Sequence, residues 1–303
     1  SWSGGTLLKF AGDAALVYFP QQEQGTQALW AVRAGTRMLY AIGEFANIPT
    51  PTENVSLKMK IGVASGEFMA ASVGSARRME YGVIGPAVTQ TMGAEGASTG
   101  PGQLIVNEAT ANLLGDDFIV TPQSPGYYQA QARSEQSIGD FEIKAEERRA
   151  RSGVPWNASP QALLAQMRVA LNQIHAIEPF IAAELAERVI VHARERRVES
   201  EFLLTTVLFC NFIGFETLFD AWGQAGVSRL TSLFSAYFTA MNEAITRYGG
   251  IVTRIDPYSK GTKLLAVFGA PVSHEDDPQR AVSAALAMNV ELDALNERWH
   301  AKF

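Results

Sequence analysis

Two stretches far apart in this chain follow one pattern, and that repeat limits the possible fold more than any other feature. Gly4-Gly5 is followed four residues later by Lys9, and Gly249-Gly250 is followed four residues later by Arg254. Each then runs into an apolar strand ending in Phe (Phe19 and Phe268) and on into a helical pattern. Self-similarity of this kind marks one supersecondary unit used twice. The second copy has a longer turn, Asp256-Pro257-Tyr258-Ser259-Lys260-Gly261. One copy opens the chain and the other lies near its end, so the sequence predicts a single fold repeated and sampled out of phase.

The first copy reads as a β-hairpin, Thr6–Phe10 and Ala14–Phe19 around Ala11-Gly12-Asp13. Apolar residues at helical spacing (Leu29, Val32, Leu39, Ile42, Phe45) predict a helix over 27–46, which Pro49-Thr50-Pro51 ends. Alternation over Leu57–Val63 predicts a half-buried strand, and shorter strands are expected at 80–85, 103–106, 118–120 and 141–143. Gly93–Gly102 reads as a flexible glycine-rich loop. The stretch from Glu146 to Ser200 is charged, with helical segments broken by Pro155, Pro160 and Pro179, and its Arg194–Arg197 run reads as a solvated helix face. From Leu203 a βα pattern returns. Val207–Cys210 is an apolar strand, and Leu230, Leu233, Phe234, Tyr237, Phe238, Met241, Ile245 and Tyr248 form one long helical stripe. Ile251–Arg254 and Leu264–Phe268 make the second hairpin, and Asp277-Pro278 reads as N-cap and first turn of a last helix. The expected division is a first domain over 1–147, a helical linker over 148–200 and a second domain over 201–303.

Composition excludes several classes. The chain has 303 residues, enough for two modest domains at about 100–200 residues each. With 25 basic and 31 acidic residues, its net charge of -6 leaves no electrostatic footprint for nucleic acid. No run approaches the roughly 18 apolar residues of a membrane span, and no secretory leader pattern stands at the start. The lone Cys210 cannot form an internal disulfide and reads as a core residue, which fits a reducing, cytoplasmic setting. There is no Gly-x₄-Gly-Lys-Ser/Thr loop. His274-Glu275-Asp276-Asp277 reads as the acidic start of a helix rather than a metal site. The start at Ser1, directly at a Gly-Gly turn, reads as part of something longer.

Four motifs in order carry a family resemblance. Lys9-Phe10-Ala11-Gly12-Asp13-Ala14 resembles the metal-binding hairpin of class III adenylyl cyclases, and Val207–Phe215 resembles their first strand and turn. Lys60–Gly66 and Glu80–Val88 resemble their later strands, and Leu264–Pro271 is similar to the second domain of the soluble, bicarbonate-responsive type with two unlike cyclase domains. The resemblance covers nearly everything outside the linker. It implies an α+β, ferredoxin-like βαββαβ palm, present as two incomplete copies that pair with each other. The first copy would lack its central strand and the second would end before its fourth. That gap leads to the expectation that the missing strand lies outside this sequence or that strands are exchanged between halves or chains.

The resemblance implies attack of the ATP 3′-hydroxyl on the α-phosphorus, with loss of pyrophosphate, assisted by two Mg²⁺ (or Mn²⁺) ions on two aspartates. Asp13 matches one aspartate; read from the residues alone it is equally a hairpin-turn aspartate. Asn211 stands at the other in the second copy, and a neutral amide is a poor ligand for a hard cation. Lys9 and Arg254 match the adenine-reading lysine, and Lys9 also reads as a solvent-facing strand residue. Arg254 brings a fixed charge and a planar fork to that position. Gly82 takes the place of the base-reading aspartate, Thr89 and Gly93 those of the transition-state Asn and Arg, and Met92 that of a bicarbonate-holding arginine. The first-copy pocket is therefore degenerate. Two functional readings stay open: part of an adenylate cyclase, inactive as this piece alone, whose parent carries further domains; or a cyclase-homology module that binds nucleotide or a partner without turnover. A diguanylate cyclase is set aside, since no Gly-Gly-Asp/Glu-Glu-Phe turn occurs.

Overall fold

A computed structural model describes residues 4–21, 26–139, 159–191, 202–258 and 261–302. Its elements run β1 (Thr6–Ala11), β2 (Ala14–Tyr18), α1 (Thr26–Ala41), β3 (Ile48–Pro49), β4 (Asn54–Val55), β5 (Ile61–Val63), β6 (Met69–Ser75), β7 (Arg78–Ile84) and α2 (Pro86–Gly96). Then come β8 (Leu104–Asn107), α3 (Glu108–Ala111), β9 (Phe118–Ser124), β10 (Tyr127–Ala132), α4 (Glu135–Ile138), α5 (Pro160–Ile177) and α6 (Ala183–Val191). The chain ends with β11 (Thr206–Phe212), α7 (Phe215–Trp222), α8 (Val227–Arg247), β12 (Ile251–Tyr258), β13 (Gly261–Phe268) and α9 (Asp277–Lys302). The strand expected at 141–143 and the charge run at 194–197 lie outside the described residues.

The chain forms two compact units that do not follow sequence order: Ser1–Phe68 with Gly85–Gly153, and Met69–Ile84 with Val154–Phe303. In the first, β1 and β2 form a sheet of their own, and β5-β8-β10-β9 form a second in which only β5 and β8 run parallel. Val32, Leu104, Val106, Leu114, Phe118 and Ala130 make its core. Helix α1 is tied to the end of α4 by charge-assisted bonds, from Arg33 Nε to the Ser137 carbonyl (2.7 Å) and from Arg37 Nη2 to the Ile138 carbonyl (2.6 Å). Asn107 closes the start of α3: its buried Oδ1 accepts the Thr110 N–H (3.0 Å) and the Ser65 N–H (3.2 Å).

In the second unit the sheet order is β11-β13-β12, antiparallel throughout. Helix α8 lies under it because its stripe repeats every three to four residues, and Leu230, Phe234, Tyr237, Phe238, Met241 and Ile245 are all buried. The hairpin β6–β7 belongs to this unit: Met69, Val73 and Ile84 share the core with Phe215, Phe234 and Phe268. Ser235 on α8 clamps the hairpin, its Oγ accepting the Gly74 N–H and donating to the Gly74 carbonyl, both at 2.9 Å. Arg78 donates to the Val252 carbonyl (3.3 Å) and pairs with Glu80 (3.3 Å), both side chains largely buried.

Several expectations are corrected. Gly93 lies inside α2, which runs to Gly96, so the loop begins only after it. The first long helix ends at Ala41 and tightens into a 3₁₀ turn over Ile42–Phe45. The strand at 57–63 is confined to Ile61–Val63. Asp277 is the first residue of α9, and its carboxylate turns back to accept the His274 N–H (2.8 Å). An exchanged central strand is not seen between the described halves: β11 pairs with β13 of its own unit, while β2 pairs with β1 and β5 with β8.

Candidate functional site

The β1–β2 hairpin turns tightly, with Ala11 opposite Ala14 and Gly12-Asp13 between them. Gly12 takes φ 69°, the left-handed conformation such a turn needs. This leaves the Asp13 carboxylate exposed at the hairpin tip, while Lys9, opposite Leu16 after a bulge, is half-buried. Both belong to the first unit.

The matching hairpin of the second unit, β12–β13, holds different chemistry. Aligned on the terminal residues Phe19 and Phe268, Asp13 falls opposite Thr262, which is buried. Across the sheet, Asn211, Lys263 and Asp256 stand in one register line. Asn211 is exposed, the Lys263 ammonium lies 3.3 Å from the centre of the Tyr258 ring, and Arg254 Nε pairs with Asp256 Oδ2 at 2.6 Å. Arg254 is thus engaged by a carboxylate two residues along its own strand, on the same face. The fit to a divalent ion fails here, because an amide, a hydroxyl and an ammonium stand where hard oxygen anions are wanted and the one carboxylate on the line, Asp256, is paired with Arg254. Among the described residues no group of three or more His, Cys, Asp or Glu side chains could hold a metal. Asp13 offers one carboxylate, and the described residues do not assemble the rest of such a site.

The remaining nominated positions divide between the units. Thr89, Met92 and Gly93 lie on α2 in the first; Gly82 lies on β7 in the second. Thr89 and Met92 are half-buried. A Cβ at Gly82 would sit 2.6 Å from Phe234 Cε1, and a Cβ at Gly93 would run into the Tyr127 hydroxyl. At Gly82 the space is taken by the buried Phe234 ring and at Gly93 by the end of the Tyr127 side chain, each from elsewhere in the same unit.

Cys210 and the acidic run at 274–277 are both held by neighbouring side chains. Cys210 is packed against the second core with its Sγ 3.3 Å from the Tyr237 phenol oxygen. Burial, helped by that thiol, pushes the Tyr237 hydroxyl far above its ordinary range. Asp276, fully exposed, is held below the usual carboxylate range by its hydrogen bond from Arg280 (2.7 Å).

Part of this chain is similar to known proteins. The family model for the adenylate and guanylate cyclase catalytic domain matches residues 6–143. The terminal-differentiation-specific adenylate cyclase of Dictyostelium discoideum is 29% identical over 122 residues, 39% of this chain and 6% of that protein. The uncharacterized protein Rv1319c of Mycobacterium tuberculosis is 34% identical over 113 residues, 37% of this chain and 20% of its own length. Solved structures include the guanylyl cyclase Cya2 (32% identical, TM-score 0.38, covering 44% of this chain and 73% of that one). The adenylyl cyclase CyaB from P. aeruginosa is 24% identical with a TM-score of 0.37, covering 44% of this chain and 74% of that one. The matched region is therefore a small share of the curated relatives' length. Through residues 6–143 the chain belongs to the adenylate and guanylate cyclase catalytic-domain family.

Proposed function

We propose that this chain is part of an adenylate cyclase, of the soluble type with two unlike cyclase domains in one protein, that converts ATP to cyclic AMP and pyrophosphate. The observation that carries this reading is the exposed Asp13 at the tip of the β1–β2 hairpin, inside the family-matched region. Class III cyclases depend on divalent metal, and Asp13 would lend one carboxylate to such an ion (Mg²⁺ or Mn²⁺), with the other ligands contributed from outside the described residues. Lys9 and Arg254 are the nominated base-side cations, and Arg254 would first have to leave Asp256. The domain pair is the assembly this reading needs, in a cytoplasmic setting. No helix among the described residues is long and apolar enough to cross a membrane.

A second reading, a regulatory module without turnover, is favoured by the aromatic filling at Gly82 and Gly93. The two separate in one experiment. In the full-length protein Asp13→Asn should remove nearly all cyclic AMP formation while ATP binding persists, because losing one carboxylate strips charge neutralisation from phosphoryl transfer. Unchanged turnover would take Asp13 out of the site. Absence of cyclic AMP and cyclic GMP from the unaltered protein, with nucleotide binding intact, would establish the module instead. The present chain alone should make little of either product, since it offers one metal aspartate and neither transition-state side chain.

A further inference from the structure

The repeat that opens the sequence holds strand by strand. In β12–β13 the ladder runs from Ile251–Val267 to Asp256–Lys263, with a bulge between Val252 and Arg254. In β1–β2 it runs from Thr6–Tyr18 to Ala11–Ala14, with the bulge between Leu7 and Lys9. Over that span every pair corresponds, and so does the bulge; Leu7 stands for Val252 and Phe10 for Ile255. The entry turns correspond as well. Gly4 and Gly249 take φ 79° and 81°, and the Phe19 and Phe268 rings leave no room for a Cβ at Gly5 and Gly250. What covers the two hairpins is different. Val252 and Ile255 are 1 and 2% exposed, because α8 shares their core and β11 lies along β13 from Thr206 to Phe212. Leu7 and Phe10 are 48 and 61% exposed, and among the described residues β2 pairs with β1 alone.

A two-stranded hairpin is marginal in water by itself and needs a third strand or a packed helix to hold it. We infer that the Leu7–Phe10 face and the outer edge of β2 form a docking site for a strand–helix unit of the β11–α8 kind. The second copy specifies how that unit sits. Its strand runs antiparallel to β2 over Asp13–Phe19, as β11 does to β13 over Thr262–Phe268, and its apolar helical stripe closes over Leu7 and Phe10. The undescribed stretches of this chain are too short to be the unit: the longest, 140–158, is less than half the length of Thr206–Arg247. A second copy cannot lend its own, since Leu208, Phe234 and Ile245 are packed in a core they already share. The occupant is therefore a further βα segment of the full-length protein. This inference rests on the two ladders and does not depend on the catalytic reading.

One substitution in two contexts tests it. In the present chain Phe10→Ser should move the melting temperature by no more than about 2 °C, because the ring it removes is already largely in water. In the full-length protein the same change should lower it by about 5 °C or more, since a covered phenylalanine is lost. Thiol labelling gives a second readout independent of melting. Phe10→Cys should react quickly in the present chain and about tenfold or more slowly in the full-length protein. A photo-crosslinking residue at position 10 of the purified full-length protein should capture a segment of the same molecule that carries an apolar helical stripe. Equal melting shifts in the two proteins, equal labelling, or a capture that doubles the mass would overturn the assignment.

Discussion

Substituting Gly82 with alanine tests whether the Phe234 ring closes the space beside this position on β7. Gly82 sits on β7 with an ordinary backbone conformation, so alanine brings no φ strain and would by itself stabilise by about 0.4–1 kcal/mol through the unfolded chain. Its new methyl, however, would stand 2.6 Å from Phe234 Cε1. Phe234 is itself fully buried and tilted against Phe215 with centroids 5.3 Å apart. Overpacking of that kind costs about 1–3 kcal/mol, leaving a net loss of up to roughly 2.6 kcal/mol after the entropic gain is subtracted. In a unit of this size each kcal/mol lost lowers the melting temperature by about 2–4 °C. Gly82→Asp should lose more, because it adds a buried carboxylate with no partner. Gly43→Ala is the control, since nothing lies within 4 Å of a Cβ there, and it should be neutral or slightly stabilising. Calorimetry of the three variants, with Phe234→Leu and the Gly82→Ala/Phe234→Leu double mutant closing a cycle, reads the effect. The shortened side chain should recover part of the alanine's cost, giving a coupling of about 1 kcal/mol. If Gly82→Ala melts with Gly43→Ala, or the coupling vanishes, Phe234 does not fill this place and the position is open to ligand.

Two further outcomes follow from the second unit. The Tyr237 hydroxyl keeps its proton in the folded chain to well above the ordinary tyrosine range, so below about pH 10 it costs nothing. As pH rises past about 10 the unfolded chain alone releases that proton, and stability falls with pH from there. Tyr237→Phe should flatten this alkaline decline in melts taken from pH 8 upward, and an unchanged slope would assign it to other groups. In the full-length protein, Arg254→Lys should lose the planar pairing with Asp256 and shift the ratio of ATP to GTP turnover; an unchanged ratio would leave Arg254 as a purely structural partner of Asp256.

What the sequence disclosed was the local part of the fold. Both hairpins show because strand, turn and strand are contiguous, and α8 shows because its stripe keeps helical period over five turns with every predicted core residue inside the helix buried. The strands that escaped notice depend on distant partners. In β6, Met69–Ser75 is mostly small residues, and its burial is set by α8 more than 150 positions later, through Ser235 and the shared core. In β10, Tyr127–Ala132 has a single fully buried residue, Ala130, and gains strand character by pairing with β8 and β9 on either side. Helix α2 was hidden by its glycines. Gly93 reads as a breaker in isolation, but the Tyr127 ring occupies the space a side chain would need, so tertiary packing outweighs the propensity penalty of about 1 kcal/mol.

The candidate site divides along the same line. Asp13 could be placed because its exposure follows from a two-residue turn, and the Arg254–Asp256 pair was within reach of the sequence, since residues two apart on a strand share a face. A bulge between Val252 and Arg254 shifts the register just ahead of that pair but leaves its own spacing intact. Gly82 and Gly93 were different. A motif alignment says which side chain is missing at each, and a missing side chain is compatible with an open pocket or a filled one. Only the ring of Phe234 over the first and that of Tyr127 over the second decide between the two, and each comes from an element with no local relation to the position it fills. What surrounds a motif position, and so whether a larger side chain would fit there, is therefore a property of packing.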